Sequence, residues 1–262
     1  MSTIRFEQRG DVGSLVLANP PRNELGRQFA DDLLDAVHEA SVSSIRALII
    51  RAEGADFGAG GDVPEWPGKD ASWFRTFIAE VNQAYAAIEA LRIPTISAVR
   101  GAVVSGHYEL ALRADLIVAS ETATFTWVEA GTGFTPLAGG LQRLAERVGR
   151  GRAAAHVLLA ETIDAVEAER IGLVYRVVAD GELDSTADGL GAELARGATR
   201  GYAATRALLK AWSSGGVVGA DALMLDLSMD LYDSVDTQNA IDEIARTATN
   251  GEDYVHPPFV GR

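Results

Sequence analysis

Four positions carry residue types from which carbonyl chemistry can be assembled: Gly61 and Gly106, 45 positions apart, and the acids Glu109 and Glu129. The glycines lie in two glycine-rich stretches, Phe57-Gly58-Ala59-Gly60-Gly61-Asp62 and Gly101-Ala102-Val103-Val104-Ser105-Gly106. Glycine lets a ligand come close to main-chain N–H groups, and two such donors on separate turns can meet at one oxygen that gains negative charge during reaction. Glu109 follows Gly106 by three residues, so on a helix the two share a side and the carboxylate can serve an atom near that carbonyl. The same spacing fits a helix-capping acid, and a lone acid beside the Gly131-Thr132-Gly133 turn, as Glu129 is, is by default solvated. Spacing alone leaves both readings open. Two carboxylates in one partly dry cleft would push a pKa upward, so that one of them carries a proton near neutrality.

The elements that must position these residues alternate between extended and helical character. A strand over Ser14 to Leu17 precedes a helix from about Arg27 to Ala40, and the β-branched run Ala47-Leu48-Ile49-Ile50 ends at the first glycine turn. Phe74, Ile78, Val81, Tyr85 and Ile88 form one apolar helix face, and Pro94 separates that helix from the strand Thr95 to Val99, which leads to the second turn. A short helix from Gly106 to about Arg113, extended runs at Leu116 to Ala119 and Thr124 to Thr126, and a loop holding Glu129 follow. Ligand-facing turns thus fall where strands end, the usual place for a crevice in open α/β architectures. Beyond Gly139 the pattern is mostly helical, with a single strand at Leu173 to Val178. The last helix is expected over Gly219 to Thr247, and Leu223, Leu227, Leu231 and Val235 give it an apolar side that must pack on something.

Composition narrows the partners. Lys and Arg number 23 against 37 Asp and Glu, and the formal net charge of −14 disfavours nucleic acid and leaves few groups to hold any phosphate. Cysteine is absent, which excludes disulfides, thiolate metal sites and a cysteine nucleophile. His38, His107, His156 and His256 show no metal-ligand spacing, so no metal is expected. The start, Met1 to Glu7, lacks a secretory pattern and no run approaches the roughly 18 apolar residues of a membrane span; a cytoplasmic protein, with no membrane partner, is expected.

Phe57 to Asp62, Ile93 to Gly101, Glu109-Leu110-Ala111-Leu112-Arg113-Ala114-Asp115 and Gly139-Gly140-Leu141-Gln142-Arg143-Leu144, in this order and separation, resemble the crotonase, or enoyl-CoA hydratase/isomerase, family over nearly the whole chain. The resemblance implies an α/β fold, a spiral of ββα turns over residues 1–195, with a C-terminal helical region over 196–262 used for trimer packing, often as dimers of trimers. It implies an acyl-coenzyme A thioester as substrate, with coenzyme A entering as part of the substrate and no further cofactor. Carried over by residue, it makes the amides of Gly61 and Gly106 the oxyanion donors, Glu109 the base that activates water and Glu129 the acid that protonates Cα. Ala59, Asp62, Val63 and Pro64 match the stretch along the pantetheine and adenine. Arg22 and Lys210 are candidates for the coenzyme A phosphates.

The chain departs from the family hydratases at Val128, Leu137 and His107. A leucine at 137 could crowd the water site, which would favour a double-bond isomerase with Glu129 acting alone. A working His107 would point to carbon–carbon hydrolysis of diketones without coenzyme A; its plain reading is a partly exposed helix histidine with no task. The acyl pocket is expected among scattered apolar residues such as Trp66, Phe74, Trp127 and Phe134.

Overall fold

The computed structural model describes residues 2–261. Its first element escapes the sequence pattern: β1 (Ile4–Arg9) pairs antiparallel with β2 (Val12–Leu17) through a tight turn at Gly10, where φ is +60°. As an edge strand it carries Arg5, Glu7 and Arg9 and has only Ile4 and Phe6 as apolar residues, so its alternation is too short to stand out. From β2 the sheet continues parallel through β3 (Ala47–Ala52), β4 (Thr95–Val99), β6 (Leu116–Ser120) and β9 (Arg176–Val178), in the order β1-β2-β3-β4-β6-β9. Parallel neighbours need crossovers. These are supplied by α1 (Arg27–Val42) between β2 and β3 and by α2 (Ala71–Ala90) between β3 and β4.

A second, smaller sheet explains why the glycine stretches recur. It consists of β5 (Ala102–Val104), β7 (Thr124–Thr126) and β8 (Thr162–Asp164), so β4 leads into β5 and then α3 (Gly106–Ala111), and β6 leads into β7 and then the one-turn helix α4 (Glu129–Thr132). This is the expected ββα repeat. The second glycine turn therefore contains a strand, and Glu129 opens a helix where a loop was expected.

The main core fills the space between one face of the large sheet and helices α1 and α2, with Leu33, Phe77 and Tyr85 fully or almost fully buried. Burying each such side chain is worth about 1.5–3 kcal/mol. The predicted apolar face of α2 divides: Val81, Tyr85 and Ile88 enter the core, while Phe74 and Ile78 stay partly exposed. On the opposite face, Ile49, Ile96 and Val118 pack against Leu183 and Ala187 of α8 (Leu183–Ala195). Between these parts run α5 (Gly140–Val148), α6 (Arg150–Leu158) and α7 (Ala165–Arg170).

After α8 the packing changes. Helix α9 (Thr199–Tyr232) is interrupted at Gly216, where φ is 63° and ψ is −165°, and Ala204 is its one buried residue. Helix α10 (Val235–Asn250) begins anew at Ser234, whose hydroxyl accepts from Thr237 N–H at 3.2 Å. The single helix expected over 219–247 is thus two, because the four-residue apolar spacing from Leu223 to Val235 runs on across Asp233, where α9 ends, and the serine cap that opens α10. The chain end is tied back: Asp236 accepts from the amides of Val260 (2.7 Å) and Gly261 (2.8 Å), and Arg46 donates to the Phe259 carbonyl at 3.0 Å. No helix among the described residues is long and apolar enough to cross a membrane.

Candidate active site

The two glycine stretches are joined along their length. Gly58 N–H donates to Ala102 O at 3.0 Å and Val104 N–H to Gly58 O at 3.0 Å, so the first turn lies against β5 as a further short strand would. Phe57 N–H reaches Arg100 O, Ala59 N–H reaches Arg22 O, Gly60 N–H reaches His107 Nδ1 and Asp62 N–H reaches Leu25 O. Gly61 N–H alone in this run has no acceptor among the described residues. Gly106 N–H, the first of α3, is likewise unengaged, as helix starts leave their leading donors, and it sits at the positive end of the short helix. The following peptide is held by Tyr85 Oη, which donates to Gly106 O at 2.7 Å. Ser105, just before it, has φ 48° and ψ −114°, a strained conformation for a residue with a side chain, of the kind that gathers at working sites.

Both glycines line one cleft of about 70 Å³ together with Glu109, Glu129 and Ser105, walled by Leu25, Trp66, Phe74, Ile78 and Leu137. Room on this scale suits a few waters or a short chain. Glu109 is 3% exposed and does not cap its helix; its Oε2 accepts from Ala138 N–H (2.8 Å) and Gly140 N–H (2.6 Å), its Oε1 from Leu137 N–H (3.3 Å). A Cβ at Gly140 would stand 2.5 Å from Glu109 Cγ, so only glycine lets that amide approach. The loop is gripped from behind by Arg113, which donates to Ala138 O, and by Arg143, which donates to Gly139 O at 2.9 Å; both pair with Glu89. Burial pushes the Glu109 carboxyl up to about 7, opposed by the amide bonds and reinforced by the charge of Glu129. Glu129, 9% exposed, is also raised by burial, against a 3.2 Å hydrogen bond from Ser105 Oγ. Two carboxyls of this kind titrate as a pair and can hold one proton between them near neutrality.

The remaining candidates divide. Asp62, Val63 and Pro64 form the short turn leading out of the first glycine stretch, with Val63 and Pro64 exposed; the Asp62 side chain makes no cap, and burial and then Glu65 and Glu24 raise its carboxyl. Ala59 is half-buried beside Arg22, whose guanidinium is exposed and paired with Glu24 at 2.7 Å. Lys210 lies apart, in a wider groove of about 900 Å³ beneath α9 with Arg147, Arg206 and Trp212. Of the expected acyl-pocket aromatics, Trp66 and Phe74 line the cleft and Phe134 packs on both at ring distances of 6.3 and 5.5 Å. Trp127 is wholly buried and stacks on Tyr108 at 4.5 Å, outside the cleft. His107 is fully buried, against the expectation of partial exposure, and its neutral form is held by burial, which pushes its pKa down to about 3. Sequence reasoning missed Ser105 and the amides of Ala138 and Gly140, because nothing local in their identity marks a bond to an acid 24 to 31 residues away. No group of three or more His, Asp or Glu side chains among the described residues is arranged to hold a metal ion.

Known proteins carry the same pattern. The sequence pattern of the family described as enoyl-CoA hydratase/isomerase matches residues 7–242. The "Probable enoyl-CoA hydratase" of Mycobacterium tuberculosis is 36% identical over 178 residues, 67% of this chain and 68% of that protein. The short-chain-enoyl-CoA hydratase of Clostridium acetobutylicum is 34% identical over 190 residues, 71% of this chain. The crystal structure of an enoyl-CoA hydratase from Polaromonas sp. JS666 superposes with a TM-score of 0.88 at 25% identity, covering 98% of this chain and 99% of that one. Together with the ββα repeats and the C-terminal helices, these likenesses mean that the chain has the crotonase fold and belongs to the enoyl-CoA hydratase/isomerase family.

Proposed function

We propose that the chain is an enoyl-CoA hydratase, adding water syn across the 2,3 double bond of a 2-enoyl-CoA thioester. One observation carries the reading: two free glycine amides and two buried carboxyls, both raised, border the same small cleft. The amides of Gly61 and Gly106 would take the thioester oxygen; losing one such donor costs about 3 kcal/mol of barrier. Glu109 removes a proton from the water as its oxygen bonds to Cβ. The π electrons pass to the carbonyl oxygen as an enolate, Glu129 protonates Cα as the carbonyl reforms, and the Glu109 proton then returns to the pair through solvent. Ala59, Asp62, Val63 and Pro64 would border the pantetheine and adenine, with Arg22 at the phosphates; the reading assigns no role to Lys210. The small cleft and the Clostridium relative's name favour a short acyl chain. The exposed apolar side of α9 is assigned to packing between copies, as a trimer or a dimer of trimers.

A double-bond isomerase is the second reading. It is favoured by Leu137, which lines the cleft, and by main-chain donors already on both oxygens of Glu109, which leave less room for a water. A diketone hydrolase is disfavoured, since His107 faces Gly60 and does not line the cleft. The deciding experiment follows the conjugated thioester band of crotonyl-CoA and of longer and branched esters in the ultraviolet, with the wild type, Glu109→Gln and Glu129→Gln. Hydration needs both acids and isomerisation chiefly Glu129. Hydration retained in either variant overturns the two-acid mechanism.

A further inference from the structure

His107 has no part in the reaction just described, yet it stands where the two oxyanion turns meet. It follows Gly106 in the chain, and its Nδ1 accepts from the amide of Gly60, the residue before Gly61, at 3.2 Å. Nδ1 as acceptor requires the neutral ring with its proton on Nε2, and burial holds the ring neutral. Phe29 and Phe57 meet the ring edge-on at 5.2 and 6.3 Å, which fixes its plane. Gly58 passes so close that a Cβ there would lie 2.1 Å from the ring. The backbone ladder through Gly58 and Ala102 joins the two turns at their far end; at the near end, where Gly61 and Gly106 turn toward the cleft, the linking group is this imidazole.

We propose that His107 is a positioning residue: by accepting from Gly60 it sets the spacing and direction of the Gly61 amide relative to the Gly106 amide. The proposal rests on the thioester reading of the cleft. A displacement of about 1 Å between reacting groups costs on the order of 10²-fold in rate, so a brace at this point acts on catalysis without touching substrate. The test compares His107→Leu, which removes the acceptor, with His107→Asn, whose Oδ1 can take the place of Nδ1. One readout is crotonyl-CoA hydration; the other is the absorption band of bound cinnamoyl-CoA, which moves to longer wavelength as its carbonyl is polarised. His107→Leu is expected to lower kcat by at least about 10-fold with KM little changed and to shrink the band shift, and His107→Asn to recover most of both. Equal losses in the two variants, or an unchanged shift in His107→Leu, overturn the proposal. Should His107→Leu fail to fold, the double variant Gly58→Ala with His107→Ala fills the vacated space with a methyl group; a full band shift there overturns the proposal, and a diminished one supports it. A wild type that shifts the band and hydrates no enoyl-CoA would remove the hydratase reading alone, leaving the band comparison to decide on His107.

Discussion

The cleft and the C-terminal helices are built on opposite plans. Around the cleft, buried acids and carbonyls are held by hydrogen bonds, Glu109 by three amides, Glu129 by Ser105 and the Gly106 carbonyl by Tyr85, while the Gly61 and Gly106 amides find no acceptor among the described residues. Along α9 the apolar side chains are left outside, with Leu209, Val217, Val218, Leu225 and Met229 each more than half exposed. That much uncovered apolar surface is what the packing between copies proposed above would cover. The difference teaches that two acids and two free amides meet within one chain, while the apolar side of α9 finds no cover among the described residues.

Four outcomes would break or sharpen that contrast. The largest is expected in the cleft: Glu129→Gln should lower kcat for hydration by about 10²–10⁴-fold with an unchanged circular dichroism spectrum, and a loss below tenfold would mean that proton transfer lies elsewhere. On the helices, the double variant Leu225→Glu with Met229→Glu should shift sedimentation from an oligomer toward the monomer while the Glu109–Gly140 core keeps its fold; unaltered sedimentation would leave this face without the packing role assigned to it. A third outcome concerns the pair of acids. Because the charge of Glu129 raises Glu109, Glu129→Gln should move the Glu109 carboxyl below about 7, and because Ser105 lowers Glu129, Ser105→Ala should raise that carboxyl further. Carbon-13 NMR titration of labelled glutamate reads both. The smallest effect, taken per pH unit, is on stability. His107 has a folded pKa of about 3, below its unfolded value, so its contribution is complete above the unfolded pKa and is lost as pH falls toward the folded one. Over that window the stability gap between wild type and His107→Asn should narrow by up to about 1.4 kcal/mol per pH unit, as chemical denaturation at several pH values would record.

The sequence made the interior strands and their order of strand, glycine turn and helix legible, because apolar runs such as Ala47 to Ile50 lead to glycines whose place in the chain is itself a signal, while the second strand of the ββα unit, β5, lies hidden in a glycine turn and is implied only by the resemblance. The two glycines stand out by type and separation, but Glu109 and Glu129 are singled out only through the family resemblance, since spacing alone fits a capping acid and a solvated one equally well. What the sequence hid are partnerships between distant segments. The Ala138 and Gly140 amides meet Glu109 only after α5 folds against α3, and the edge strand β1 and the short β8 acquire extended form from their neighbours rather than from their own composition. Lys210 shows the converse limit, since a basic residue near the end of a chain gives no hint of which groove it will border.

The grip on Glu109 has a corollary. Its partners at 137, 138 and 140 are peptide N–H groups, which every amino acid but proline supplies. Leu137, partly exposed and lining the cleft, can therefore change in size and polarity while the acid stays anchored, whereas Ala138, 3% exposed in the core, is confined to a small side chain. A loop of this design lets the lining of the cleft vary at one position without disturbing the hold on a buried acid.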